Sequence, residues 1–65
     1  MKVVYDQEVD VLRIVFSGAE IEESDEDKPG VILDYDIDGN IVGLEVIEAS
    51  KRIEDPRALD YAIKG

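Results

Sequence analysis

The chain has 65 residues and a formal net charge of -10, from 7 Lys and Arg against 17 Asp and Glu. A chain this short buries only about 60% of its unfolded surface, which predicts one small domain over 1–65 and leaves no room for a deep catalytic cleft. The acidic balance repels phosphate and excludes nucleic acid and anionic membranes as direct partners, while the absence of Cys and His removes disulfides, thiolate sites, the commonest zinc ligand and the commonest general base.

Met1-Lys2 leads straight into Val3-Val4-Tyr5, so no signal-peptide leader is expected. No apolar run approaches the ~20 residues that span a bilayer, so a cytoplasmic protein is expected. Hydrophobic residues make up 45% of the chain, enough for it to fold.

Val3, Val4 and Tyr5 form the first apolar signal, and the polar break Asp6-Gln7-Glu8 separates it from a second run, Val9 to Phe16. Leu12, Ile14 and Phe16 share one face of that run, and Val11, Arg13 and Val15 share the other. Its β-branched content favours strand over helix. Ser17-Gly18 is a turn signal, after which Ala19, Ile21 and Glu23 alternate with Glu20, Glu22 and Ser24 as a weaker strand. Pro29-Gly30 closes the acidic loop that follows. Val31 to Tyr35, an Asp-Gly turn and Ile41 to Ile47 then give the strongest hairpin signal in the chain.

The register of that hairpin follows from its apolar pattern, because a slip of one residue turns every side chain to the wrong face. With Ile37 opposite Asn40 across a two-residue Asp38-Gly39 turn, Leu33 faces Leu44, Tyr35 faces Val42 and Val31 faces Val46, giving one continuous apolar face. A three-residue type I turn with Gly39 as the bulge would instead set Val31 opposite Glu45 and Asp34 opposite Val42. An even loop of two or four residues is therefore expected.

Asp55-Pro56 has the form of a helix start, with a capping Asp and Pro in the first turn. Arg57 to Lys64 places Leu59 with Ile63, and Ala58 with Ala62, at i, i+4 spacing, and Lys64-Gly65 is an end signal. A helix this short needs a surface to dock on, either its own sheet or a partner. The predicted fold class is α+β: an antiparallel β-meander of four to five strands over 1–53, with one short C-terminal helix over 55–64.

Three features bear on function. The string from Asp34 to Glu45 matches the EF-hand calcium loop letter for letter, D-x-D-x-D-G, five residues, then Glu. It offers Asp34, Asp36 and Asp38 as weak metal candidates. An EF-hand needs a helix on each side, however, and Pro29-Gly30 with the β-formers Val31-Ile32-Leu33 cannot supply one. The second feature is Glu20 to Asp27, in which six of eight residues are acidic. Such a run is either a docking surface for a basic protein or a solvated strand edge whose charge prevents aggregation. The third is the face of Val11, Arg13 and Val15, which in a single-layer sheet requires cover from the helix or from a homodimer partner.

Catalysis has little support. Ser17, Ser24 and Ser50 have no His to serve as base. Asp34 and Asp36 sit at an exposed turn where nothing would separate their pKa values. Neither a phosphate loop nor a basic aromatic patch is present, so no enzyme and no cofactor is expected.

Met1-Lys-Val-Val-Tyr-Asp6, Glu8-Val-Asp-Val-Leu-Arg-Ile14, Pro29-Gly-Val-Ile-Leu-Asp-Tyr-Asp36, Asp38-Gly-Asn-Ile-Val-Gly43 and Leu44-Glu-Val-Ile-Glu-Ala-Ser50 together resemble the YuzE-like family of small prokaryotic proteins, the domain of unknown function DUF2283. The resemblance runs from Met1 to about Ile53 and implies a small β-rich domain in which the Asp-Gly turn connects strands. It carries over no catalytic residue. Relatives encoded beside small toxin-like proteins would imply an antitoxin role. Two readings follow. In one, Glu20, Glu22, Glu23, Asp25, Glu26 and Asp27, with Leu59 and Ile63 of the helix, engage a small basic partner. In the other, the chain is a self-contained structural or homo-oligomeric domain, a homodimer in the simplest case.

Overall fold

Period-two alternation in this chain is realised as one antiparallel sheet in the computed structural model, which describes residues 1–65. The strands are β1 (Lys2–Asp6), β2 (Val11–Val15), β3 (Glu23–Lys28), β4 (Val31–Tyr35) and β5 (Ile41–Ile47), followed by one short helix, α1 (Ala49–Arg52). In the sheet they lie in the order β1-β2-β5-β4-β3. Hairpin β1-β2 and the consecutive strands β3-β4-β5 are thus joined by pairing β2 to β5, and residues 16–22 cross the end of the sheet to its far edge. That crossing is pinned at both ends: Phe16 N donates to Val42 O at 2.9 Å, and Glu22 N donates to Tyr35 O at 2.8 Å. No helix is long and apolar enough to cross a membrane.

The pairings Val3↔Ile14, Ile14↔Leu44, Leu33↔Leu44 and Asp25↔Leu33 define one row of side chains across all five strands. Paired residues point to the same side of a sheet. Val3, Tyr5, Leu12, Ile14, Leu44, Val46, Val31 and Leu33 therefore form one face, with no charged residue on β1, β2, β5 or β4. The opposite face carries Val4, Val11, Val15 and Ile32, but also the Arg13–Glu45 ion pair at 3.5 Å.

The β4-β5 hairpin keeps the expected Leu33↔Leu44 and Val31↔Val46 pairs but reaches them by another route. Asp36 N donates to Asn40 O at 3.0 Å and Gly39 N donates to Asp36 O at 3.1 Å, which closes a three-residue loop, not the even one the sequence predicts. Gly39, at φ 83°, occupies the left-handed position that this turn requires. The odd loop would have moved acids onto the apolar face. A register shift next to Tyr35 corrects it, because Tyr35 pairs with Ile41 while Asp34 pairs with Gly43, leaving Val42 as the extra residue. Val42 is buried, and its carbonyl receives Phe16 N and Ser17 N.

Two further expectations are corrected. The third strand is not Ala19 to Ser24 but Glu23–Lys28, where pairing with β4 outweighs the poor β-propensity of an acidic run, and Pro29-Gly30 is its turn. Nor is there a helix over 55–64. Asp55 does make the local turn, accepting Arg57 N on its side chain and Ala58 N on its carbonyl, both at 3.1 Å, but no helix propagates from it. Leu59-Asp60-Tyr61-Ala62-Ile63-Lys64 alternates with period two as well as at i, i+4, and so short a segment has too few turns to sustain a helix alone.

Candidate functional site

The acidic run lands on an edge. β3 pairs only with β4, and all six of its residues are exposed. Glu23, Asp25, Glu26 and Asp27 lie on it, with Glu20 and Glu22 in the connection just before. The ion pairs of the chain are Arg13–Glu45, Lys51–Glu48 and Arg57–Asp55, so none of these six acids has a cationic partner. The register shift between Glu26 and Lys28 leaves Asp27 out of the ladder, and Glu26 Oε2 accepts Gly30 N at 3.1 Å across the turn.

The apolar half of the expected partner site lies elsewhere. Leu59 lines a shallow cleft with Met1, Val3 and Tyr61, in a segment without regular secondary structure that lies beside β1. β1 is the opposite edge of the sheet, four strand spacings or roughly 19 Å from β3. Leu59 and Ile63 are 71% and 85% exposed, and Leu59 is not brought together with the acidic run in one chain.

The EF-hand letters are dispersed by the sheet. Asp34 is buried and points to the charged face, where Ser24 Oγ donates to its Oδ1 at 2.6 Å. Asp36 is occupied by its own turn, its Oδ1 accepting Asp38 N and Asn40 N and its Oδ2 accepting Asn40 Nδ2. The Asn40 side-chain amide, followed by its backbone N–H, holds the Asp36 carboxyl below the usual carboxylate range. Asp38 is exposed at the tip. No group of three or more Asp, Glu, His or Cys side chains converges as a metal cage.

One polar cluster has no obvious signature in the sequence. Asp10, at φ 58° in the β1-β2 turn, accepts Tyr5 Oη on Oδ1 at 2.6 Å and Ser50 Oγ on Oδ2 at 2.7 Å. Its Oδ1 also takes Ser50 N at 2.9 Å, and its carbonyl takes Ala49 N at 2.9 Å. Asp10 thereby caps α1 from another part of the chain, while the residue before the helix, Glu48, makes no side-chain cap. The Tyr5 hydroxyl, then the Ser50 hydroxyl and N–H, lower the Asp10 pKa, and the same bond to Asp10 raises that of Tyr5.

A depressed carboxyl stabilises the fold at pH values above its unfolded pKa and loses that contribution as pH falls through its folded pKa. Thermal melts between pH 7 and pH 2 should therefore show wild type losing stability below about pH 4, near the ordinary Asp pKa. Asp10→Asn should start lower and fall less. Parallel curves for the two proteins would remove Asp10 from this role.

As an assembly of groups, the molecule offers an acidic strand edge, a sheet face without charge on four of its five strands and a buttressed turn. No curated protein and no solved structure matches the chain. The family model for DUF2283, described as a protein of unknown function, does match it, over residues 2–50, a span that contains all five strands and the Asp10–Ser50 contact. The chain belongs to the DUF2283 family.

Proposed function

We propose that the protein is a non-catalytic interaction domain whose acidic edge strand receives a basic segment of a small protein partner. The observation that carries this reading is β3 itself, an edge strand with free backbone donors and acceptors along one side and four acids without internal counter-ions. An extended peptide adds to such an edge through main-chain hydrogen bonds, and flanking carboxylates select Lys and Arg on the incoming strand. The same charges repel a second β3 edge, so the edge is closed to copies of itself and open to a cationic chain. Sequestration of a small basic protein would be antitoxin-like.

Catalysis is no part of this reading. The chain has no His or Cys, and Ser50, the hydroxyl nearest a carboxylate, donates to Asp10 as a helix-capping contact.

Affinity purification of the tagged chain from its native cells, at low and high salt, provides the test. One small basic protein should co-purify in near-equal amount at low salt, diminish at high salt as screening shortens the reach of the charges, and be lost from a Glu23→Lys, Asp25→Lys, Asp27→Lys variant. Recovery of the chain alone at both salt concentrations would refute the proposal, as would a partner retained by the triple variant.

A further inference from the structure

The sheet is a single layer. Its dimensions are 35 × 32 × 19 Å, and its radius of gyration of 12.6 Å exceeds the roughly 10.8 Å of a compact domain of this length. Accessible area tells the same story: 5154 Å² against about 4,200 Å² for a folded monomer of this mass. Only Val42, Val46 and Ala49 are buried hydrophobic residues, and no large side chain is fully enclosed. Sheets hold together by burying an apolar face against a second layer, and a helix of four residues cannot supply that layer.

We infer that the second layer is a second copy of this chain, packed face to face through the side of the sheet that carries no charged residue on β1, β2, β5 or β4. The excess area, about 1,000 Å², is close to the ~800 Å² that each partner buries in a stable interface. The face is the one lined by Leu12, Ile14, Leu33, Leu44 and Val46. The face of Val11, Arg13 and Val15, also expected to need cover, carries the Arg13–Glu45 pair.

Charge distribution selects the symmetry. A two-fold axis across the strands would set each acidic β3 over its twin. An axis along the strands, through the central β5, sets β3 over the partner's β1, where Arg57 lines a cleft with Val3 and Tyr5. It also separates the two β3 edges by the width of the sheet. In the row Val3-Ile14-Leu44-Leu33-Asp25, Leu44 then meets itself across the axis and Ile14 meets Leu33 of the other copy.

The chain has no cysteine, so single-cysteine variants report this geometry directly. Light scattering at micromolar concentration should give twice the 7.3 kDa chain mass. Under mild oxidation Leu44→Cys should cross-link to itself several-fold faster than Ile47→Cys, which lies on the other face. Mixed Ile14→Cys and Leu33→Cys chains should cross-link to each other faster than either does to itself. A mass of one chain at every concentration, or equal rates for Leu44→Cys and Ile47→Cys, would overturn the dimer. Preferential self-linking of Ile14→Cys would overturn the arrangement by placing the axis across the strands.

Discussion

Gly43→Val should destabilise the protein by about 3 kcal/mol, the upper end of what overpacking does and a large share of the total stability of so small a chain. Gly43 is buried in β5 between Asp34 on β4 and Val15 on β2. A Cβ there would lie 2.9 Å from Asp34 Oδ2 and 3.4 Å from the Ile14 carbonyl oxygen. The carboxylate is on a short side chain, 5% exposed and tied to Ser24, so it has nowhere to swing; the carbonyl belongs to backbone. Gly43 is thus the space that lets a buried carboxylate fit between strands. Urea titration of Gly43→Val, Gly43→Ala and Gly43→Ala with Asp34→Ala tests the mechanism: the double variant should lose less than the sum of its parts, because removing the carboxylate relieves the closest contact. Strict additivity would mean that the Asp34 contact is not the cause.

Val42→Ala should lower stability by about 2 kcal/mol, the transfer term for two methyl groups plus the void they leave. That corresponds to a fall in Tm of roughly 10 °C for a domain this size. Val42 is 3% exposed, although it is the residue displaced from the ladder by the register shift. Where only two large aliphatic side chains, Val42 and Val46, are buried, each carries an unusual fraction of the core. Ile37→Ala, a larger truncation at an 80% exposed turn position, should leave Tm within a degree or two. Equal losses at the two sites would mean that exposure in the isolated chain does not report where the core is.

The same residues explain how far the sequence could be read. Strand identity was legible for β1, β2, β4 and β5 because β-branched residues recur at period two, and Leu33 opposite Leu44 followed from keeping one face apolar. The loop length was not, because two irregularities cancel: a three-residue turn shifts the pairing by one, and the extra Val42 shifts it back. Hydrophobic patterning constrains only their sum. β3 was placed too early because its residues have no apolar period of their own; its partner β4 dictates the pairing. α1 was missed because its cap, Asp10, stands forty residues away from Ser50, and spacing rules for caps look only three or four residues along the chain. Of the expected interaction residues, the acids on β3 were legible from charge density alone. The position of Leu59 was not, since a segment readable at both periods takes its conformation from its surroundings.

The path of residues 16–22 has a kinetic consequence. Three of the four strand pairings join neighbours in sequence, and β1-β2 and β3-β4-β5 can each zip from their own turns on the microsecond scale of hairpin formation. Only β2 against β5 unites them, in a pairing that sets Arg13 beside Glu45 across 32 residues. Closing a loop of that length takes about 3 kcal/mol of chain entropy before any contact repays it. The β2-β5 seam is therefore the step expected to limit folding: substitutions there should slow folding, whereas those on the outer edges of β1 and β3 should chiefly hasten unfolding.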